Sequence, residues 1–285
     1  MPYDTPLRYP GGKGRLTQFM HEVIDRNDLA GGHYLEPYAG GAGIAVSMLL
    51  ADVVSHIHIN DINRSIHAFW SAVLSDSASL CDRIASTRVT IKEWHRQRAV
   101  QDDPHANILD LAFSTFFLNR TNRSGIIRGG VIGGKDQSGA WTLDARFNKE
   151  DMINRITRIG ERAKQISLYR LDAAKLIDSV LPKLPNETLV YLDPPYYVKG
   201  QGLYENHYGH ENHLDIATRV GTIKQPWIVS YDAVYAIKKM YRGYRQKQFG
   251  LHYSANGRFR GSEVMILKDG LSVPRTIAPS RSAAA

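Results

Sequence analysis

The sequence predicts an α/β fold in which a mainly helical segment interrupts a parallel sheet. A short apolar stretch at residues 34–35 leads into a glycine-rich turn, a helical pattern covers residues 44–50, and a second apolar stretch covers residues 56–59. This order of strand, helix and strand is typical of parallel sheets. Residues 62–163 have a different pattern, in which amphipathic helices flank a glycine-rich, basic loop.

The remaining elements are predicted from apolar runs and helical periodicity further along the chain. Strands are expected at residues 166–170, 189–192, 226–230, 246–253 and 263–267, and helices within the inserted segment at 62–74, 108–118 and 150–165. The predicted domains are a sheet domain in two parts, 1–61 and 164–272, a helical domain at 62–163, and a disordered Pro-, Ser- and Ala-rich tail at 273–285.

Composition narrows the class of protein. The 285 residues carry a formal net charge of +8, which suits a polyanionic partner such as nucleic acid. The single cysteine, Cys81, excludes an intramolecular disulfide and a zinc site built from cysteines. Residues 1–15 lack the apolar core of a signal peptide and no apolar run is long enough to span a bilayer, so we expect a soluble, cytoplasmic protein.

A glycine-rich turn follows the first predicted strand. Its sequence is Glu36-Pro37-Tyr38-Ala39-Gly40-Gly41-Ala42-Gly43, and its glycines allow a ligand to approach the backbone closely. It departs from the dinucleotide fingerprint, and a plain connection from strand to helix is the alternative. Asp61 follows the next strand about 20 residues later, where an acid commonly binds a ribose, although a helix N-cap would also account for it.

A second motif, Asp193-Pro194-Pro195-Tyr196, directly follows an apolar strand. The prolines keep Asp193 and Pro194 out of helical geometry, so the Asp193 carboxylate and the Pro194 carbonyl can face one small target. Two acceptors suit an amino group, and Tyr196 offers a flat surface on which a nucleobase can stack. The alternative is a proline-rich loop whose tyrosines pack in the core.

Together these motifs resemble those of the Dam-like (D12 class) N6-adenine-specific DNA methyltransferases, in the family's own order and over most of the chain. The opening cofactor motif of that family resembles residues 7–13, which contain Tyr9, Gly11, Gly12 and Lys13. Its glycine-rich loop resembles the turn at 36–43, and its catalytic motif resembles Asp193 to Tyr196. The implied fold is the Rossmann-like sheet of S-adenosylmethionine-dependent methyltransferases.

The resemblance implies S-adenosyl-L-methionine as cofactor and no metal. Asp193 and the Pro194 carbonyl would accept hydrogen bonds from the amine of an adenine flipped out of double-stranded DNA, Pro195 would stiffen the motif, and Tyr196 would stack on the base. Asp172 corresponds to the family's acidic residue for the cofactor adenine, and a helix cap is its alternative. The cofactor-binding residues implied are Tyr9, Gly11, Gly12, Lys13, Glu36, Pro37, Tyr38, Gly40, Gly41, Gly43, Asp61, Ile62, Asp172 and Asp193.

Residues 117–128 resemble the family's target-recognition segment, and Arg128 lies where family members read a guanine. The chain has Arg123-Ser124 before Gly125 where the best-known members have Tyr-Asn, so neither the recognition sequence nor a wedge residue is predicted. The implied DNA-binding residues are Arg120, Asn122, Arg123, Ser124, Arg128 and Lys135. A monomer and a cognate restriction endonuclease partner are further expectations.

Other functions remain open at the level of sequence. N4-cytosine methylation uses the same chemistry, although those enzymes more often carry Ser where this chain has Asp193. Methylation of RNA or of protein glutamine is a further alternative. A catalytically idle DNA-binding protein would keep the basic loop and lose the cofactor residues. A nicotinamide-dependent dehydrogenase would need a regular dinucleotide fingerprint and would leave the Asp193 motif unexplained.

Overall fold

The computed structural model describes residues 4–8, 16–198, 208–253 and 259–277, which form two compact units. The helical unit contains residues 4–8 and 63–168, and the sheet unit contains the described residues of 13–62 and 169–285. Residues 4–8, which the sequence groups with the sheet, lie in the helical unit because the Arg8 backbone is hydrogen bonded to the Asn119 side chain. Of the predicted tail, residues 278–285 lie outside the described residues.

Seven strands form one sheet in the order β3-β2-β1-β4-β5-β7-β6. β1 pairs in parallel with β2 and β4, β4 pairs in parallel with β5, and β7 is antiparallel to β5 and β6. The predicted α/β class with a mostly parallel, Rossmann-like sheet is therefore confirmed. The strands are β1 His33–Glu36, β2 His56–Asn60, β3 Ile166–Tyr169, β4 Thr188–Leu192, β5 Trp227–Asp232, β6 Arg245–Tyr253 and β7 Phe259–Leu267.

The strand order changes direction between β1 and β4, which are adjacent although β2 and β3 lie between them in sequence. In open parallel sheets, ligands bind at the carboxyl ends of strands at such a switch point. The glycine-rich turn follows β1 and the Asp193 motif follows β4. The topology thus brings the two main sequence motifs to one edge of the sheet.

Ten α-helices accompany the strands within the described residues. Those of the sheet unit are α1 Thr17–Arg26, α2 Gly43–Leu50, α8 Ala173–Ser179, α9 His210–Val220 and α10 Tyr235–Met240. Those of the helical unit are α3 Arg64–Ser75, α4 Ser77–Ser86, α5 Ile91–Asp102, α6 Ile108–Thr121 and α7 Lys149–Glu161. No helix among the described residues combines the length and the apolar character that crossing a membrane requires.

Each unit buries its own apolar core. All five residues of β4 are buried, as expected for a central strand covered on both faces. In the helical unit, Asn107 caps α6 by accepting a hydrogen bond from the Asp110 amide at 2.8 Å, and the helix then buries every residue from 111 to 119. Phe116 packs against Phe69 with ring centroids 6.3 Å apart. α6 is therefore the central helix of that unit.

The helix ends differ from prediction where local caps and turns decide them. α3 begins at Arg64 because the Asn63 side chain accepts hydrogen bonds from the amides of Ser65 and Ile66. α6 continues to Thr121 and therefore includes Arg120, which was expected in the basic loop. The predicted helix at 150–165 divides into α7 and a separate 3-10 turn, Ala163–Gln165.

Candidate active site

The turn after β1 is held in a specific conformation by Asp61. Gly40 and Ala42 both have left-handed backbones, with φ of 47° and 45°. The Gly40 amide donates a hydrogen bond to the Asp61 carboxylate at 2.9 Å, so the residue that follows β2 fixes the loop that follows β1. A left-handed Ala is uncommon and costs free energy, which indicates that the surrounding contacts impose this turn.

Asn60, the last residue of β2, braces the same edge of the sheet. Its buried amide group donates hydrogen bonds to the Pro37 carbonyl at 2.9 Å and the Leu171 carbonyl at 3.0 Å, and its oxygen accepts one from the Leu171 amide at 2.9 Å. These bonds connect the chain beyond β1, β2 and β3. Sequence reasoning did not single out Asn60, because nothing local marks its partners.

The predicted acidic cofactor residues differ in their surroundings. Asp61 is half-buried, and the helix cap considered as its alternative role is instead Asn63. Asp172 is exposed and caps α8 through the Ala174 amide at 2.9 Å, so its alternative role is present, whereas its predicted role toward the cofactor stays a prediction. Ile62 is exposed, and its carbonyl accepts a hydrogen bond from Arg170 at 3.3 Å.

The Asp193 carboxylate is oriented by a buried pair of hydroxyls. Ser230 on β5 donates a hydrogen bond to Asp193 Oδ1 at 2.8 Å, and the Tyr191 hydroxyl lies 2.8 Å from Ser230 Oγ. Because the Ser230 proton points at Asp193, Tyr191 donates to Ser230. Ser230 and Tyr191 are both buried, whereas Asp193 is partly accessible. The carboxylate is therefore held as an acceptor near the loop after β1.

Asp232, at the end of β5, shapes the rest of the Asp193 motif. Its two carboxylate oxygens accept hydrogen bonds from the amides of Tyr197, at 2.9 Å, and Val198, at 3.1 Å. Tyr196 is buried, and its hydroxyl donates to Glu263 at 2.8 Å. Pro194 is buried and Pro195 is half-buried. Tyr196 is thus fixed at its hydroxyl end, while its predicted stacking on a base stays a prediction.

Glu36, which opens the glycine-rich turn, is a buried acid beside Asp193. Burial raises the pKa of Glu36 to about 8, the charge of Asp193 adds to the rise, and a hydrogen bond from the Ala45 amide at 3.1 Å opposes it. Glu36 therefore retains its proton near neutral pH. A protonated Glu36 places no second negative charge beside Asp193.

Glu36→Gln tests this protonation. In the folded protein the carboxyl group of Glu36 stays protonated up to about pH 8. In the unfolded chain the same group loses its proton near pH 4.5, its ordinary pKa. Its ionisation therefore makes stability fall as pH rises through this window, by an amount on the order of a few kcal/mol at pH 8. We expect Glu36→Gln to remove that loss in unfolding experiments from pH 5 to 8. Glu187→Gln, at an exposed glutamate, should leave the pH dependence of stability unchanged. If stability falls with pH equally in the wild type and in Glu36→Gln, Glu36 is not protonated in the folded protein.

Aromatic residues pack around Tyr38 of the glycine-rich turn. The hydroxyls of Tyr38 and Tyr208 lie 3.2 Å apart, and burial raises the pKa of Tyr208 to about 12. The buried His213 imidazole lies 3.0 Å from the Tyr231 hydroxyl, and burial lowers the pKa of His213 to about 4, so this histidine is neutral. Tyr38, predicted to contact a cofactor, thus belongs to a packed, uncharged aromatic cluster.

The remaining cofactor candidates are distributed unevenly. Pro37, Gly40 and Gly41 are buried within the turn, and Gly43 begins α2. The predictions for Tyr9, Gly11, Gly12 and Lys13 fall outside the described residues. The part of the chain that the structure describes holds no group of three or more His, Cys, Asp or Glu side chains placed to bind a metal ion.

Asn119 holds the recognition segment of the helical unit together. Its buried side chain accepts a hydrogen bond from the Arg8 amide at 2.7 Å and donates to the carbonyls of Arg8, at 2.5 Å, and Gly125, at 2.8 Å. Asn119, which lies in the segment 117–128, therefore joins residues 4–8 to the chain after α6. This structural role is one that the motif alone did not indicate.

Asn122, predicted to contact DNA, is buried, and that predicted role stays a prediction. Its amide donates to the carbonyls of Ile126 and Ile127 at 2.9 and 2.8 Å, and its oxygen accepts a hydrogen bond from Trp94 at 2.7 Å. All three hydrogen bonds stabilise the turn that contains Arg123, Ser124 and Gly125. In this conformation Asn122 holds the predicted recognition segment through hydrogen bonds to its backbone.

Arg120 lies close to three other arginines, Arg8, Arg146 and Arg155. The guanidinium of Arg120 bonds the Arg146 carbonyl at 2.7 Å, and burial, followed by the charges of Arg8 and Arg155, lowers the pKa of Arg120 to about 10. Arg123 and Lys135 are exposed, and Ser124 is half-buried with φ of 56°. Arg128 is exposed and forms an ion pair with Asp102. The helical unit thus concentrates positive charge near its recognition segment.

Comparison with known proteins identifies the family to which the chain is similar. The sequence pattern of the D12 class of N6 adenine-specific DNA methyltransferases matches residues 9–256. The Type II methyltransferase M.MjaIII of Methanocaldococcus jannaschii is 24% identical over 204 residues, which cover 67% of this chain and 68% of that protein.

Two solved structures resemble the chain loosely. The rRNA methyltransferase aviRa from Streptomyces viridochromogenes has a TM-score of 0.41 and 13% identity, covering 91% of this chain and 86% of that one. Protein LPL1258 from Legionella pneumophila str. Philadelphia 1 has a TM-score of 0.31 and 12% identity, covering 90% and 86%. At these TM-scores neither likeness bears on function.

Proposed function

This chain belongs to the D12 class of N6 adenine-specific DNA methyltransferases, and on that basis we propose that it transfers a methyl group from S-adenosyl-L-methionine to the N6 amine of an adenine flipped out of double-stranded DNA. The observation that carries the proposal is the position of Asp193. It lies at the carboxyl end of β4, beside the glycine-rich turn after β1, at the switch point of the sheet.

The chemistry requires acceptors aimed at an amine. The lone pair of an aromatic amine is delocalised into the ring, so an enzyme must hold the nitrogen in a geometry in which that lone pair can attack. A carboxylate fixed by Ser230 and a carbonyl at Pro194 are suited to accept the two amine hydrogens. These hydrogen bonds are made by the amine alone, so the face of the adenine ring is free to stack on Tyr196. The contribution of the protein is position and electrostatics, with no covalent intermediate.

The residues at the edge of the sheet fit the proposed cofactor. S-adenosyl-L-methionine carries an activated methyl group, a positively charged sulfonium, a ribose diol and an adenine amine, all of which favour acceptors. The carboxylates of Asp61 and Asp172 follow β2 and β3, and the protonated carboxyl group of Glu36 ends β1, next to a turn with a left-handed glycine. We propose that these residues, with the turn from Pro37 to Gly43, hold the cofactor.

We propose that the helical unit reads the DNA. Arg123, Arg128 and Lys135 are exposed and positively charged, which suits contacts with phosphates and guanine edges. Arg120 supplies a further positive charge and donates hydrogen bonds to the carbonyls of Arg146 and Pro6. By analogy with M.MjaIII, a Type II methyltransferase, a partner restriction endonuclease is proposed as well. Action as a monomer in the cytoplasm completes the proposal.

Arg128→Ala is expected to relax sequence discrimination. Without DNA, Arg128 is paired with Asp102 on the surface, so its loss should leave the fold intact. One base contact is worth about 1–3 kcal/mol, so the ratio of methylation at cognate over altered sites should fall about 5- to 160-fold. Arg88→Ala, which removes an exposed arginine of the same unit, should keep the ratio. If the two variants discriminate equally well, Arg128 does not read a base.

The reaction itself can be measured by transfer of labelled methyl from S-adenosyl-L-methionine to unmethylated DNA, followed by digestion to nucleosides. We expect the label in N6-methyladenine. Label in N4-methylcytosine would select the alternative substrate, and label in added RNA alone would exclude DNA methylation. Cofactor binding without any transfer would favour an idle DNA-binding protein on this fold.

A further inference from the structure

Trp141 lies on the surface of the helical unit, whereas the other three tryptophans are buried. Its relative exposure is 67%, against 6% or less for Trp70, Trp94 and Trp227. Exposed tryptophan side chains are unfavourable in water and often mark contact surfaces. Trp141 occupies the loop between α6 and α7, the same loop that contains Arg123, Arg128 and Lys135.

The loop around Trp141 is folded and anchored on both sides. On one side, Val131 is buried and pairs with Asn122 through an isolated β-bridge. On the other, Leu143 and Phe147 are buried, and the Phe147 ring centroid lies 5.3 Å from that of Phe116. Trp141 therefore lies between two parts of the loop that are anchored by buried side chains.

Gln137 holds the loop together from within. Its side-chain nitrogen donates to the carbonyls of Ile132, at 2.8 Å, and Gly134, at 2.5 Å, and its oxygen accepts a hydrogen bond from the Leu143 amide at 2.8 Å. Gly133 has φ of +83°, and a Cβ there would lie 2.6 Å from the Trp141 carbonyl. These contacts hold the loop in one conformation, in which the Trp141 side chain is exposed.

The electrostatic surroundings favour a nucleic acid as the partner of Trp141. The Arg146 guanidinium lies over the indole ring, 5.8 Å from its centroid, which is a cation–π contact. Between residues 120 and 146 the sequence has five basic and two acidic residues, a net charge of +3. A flat ring beside an arginine, in a basic loop, is the pairing by which proteins stack on bases and bind the adjoining phosphate.

We propose that Trp141 stacks on a nucleobase of bound DNA, with Arg146 at the neighbouring phosphate. This inference rests on the proposed function and extends it, since Ser124 supplies no aromatic ring in the recognition segment. The stack would give the chain an aromatic contact with DNA from Trp141, which lies in the same loop as Ser124 but outside the recognition segment 117–128.

Tryptophan fluorescence tests the stack directly, since only Trp141 is accessible to iodide among the four tryptophans. With sheared unmethylated genomic DNA as the probe, we expect quenching of the exposed emission, loss of iodide access, and absence of both signals in Trp141→Phe. Trp141→Ala should weaken DNA binding about 5- to 100-fold, the effect of removing one stacked base. Ile108→Ala, with 60% exposure in the same unit, should bind normally.

The outcomes separate this inference from the proposed function. Unchanged Trp141 emission and iodide access in a protein that binds and methylates DNA would overturn the stacking assignment alone. Self-association that depends on Trp141, with no effect of DNA on its emission, would overturn it in favour of a protein contact. A wild-type protein that binds no DNA would overturn both.

Discussion

Replacing Asp193 with alanine is expected to lower the rate of methyl transfer at least about 100-fold, the scale for removing a preorganised electrostatic contact to the reacting group. DNA binding should stay close to that of the wild type, because DNA contacts are assigned to the helical unit. The Asp193 side chain is partly accessible and accepts a hydrogen bond from Ser230. Single-turnover methylation and DNA-binding titrations on the same preparation would measure both effects.

Two further variants separate chemistry from general damage. Ser230→Ala removes the hydroxyl that orients Asp193, so we expect kcat to fall about 10-fold with KM for DNA unchanged, as for a positioning residue. Asp269→Ala removes an exposed acid of the sheet unit and should have no effect. Near-normal turnover in the Asp193 variant would eliminate Asp193 as a catalytic residue.

Gly125→Ala is expected to destabilise the helical unit by about 2–4 kcal/mol and to disable DNA recognition. Gly125 has φ of +75°, a conformation that alanine rarely adopts. An added Cβ would also lie 2.5 Å from the Arg8 carbonyl oxygen and 2.9 Å from Arg8 Cβ. The substitution would therefore separate residues 4–8 from the recognition segment, as thermal unfolding and DNA titration can show.

Gly130→Ala is the matched control for that substitution. Gly130 lies in the same loop, its φ is outside the left-handed region, and no atom lies within 4 Å of a Cβ placed there. It should unfold at the temperature of the wild type. Equal stability of the Gly125 and Gly130 variants would show that the packing around Arg8 is not required.

Periodicity and turn chemistry predicted the framework of the sheet unit well. The predicted strand at 56–59 lies within β2 and that at 189–192 within β4. In β4 an apolar run ends at a proline motif, whereas in β2 isoleucines alternate with histidines. The glycine-rich turn and the Asp193 motif could likewise be located, since each depends on residues adjacent in sequence.

The hydrogen bonds that orient the site residues could not be predicted, because the residues that form them are distant in sequence. Ser230 meets Asp193 across 37 positions, and Asn60 meets Leu171 across 111. Asn122 is a further case: its side chain is buried and accepts a hydrogen bond from Trp94, 28 positions away, which its motif did not indicate. A local pattern indicates which residues carry chemistry, but burial and hydrogen bonding are decided by the fold.

The most direct test of the central claim is single-molecule sequencing of DNA from a methylation-deficient bacterium that expresses the protein. The proposed function predicts N6-methyladenine within one recurrent sequence motif, and its absence when Asp193→Ala is expressed instead. Unmodified DNA from cells that contain folded, cofactor-binding protein would contradict the proposal.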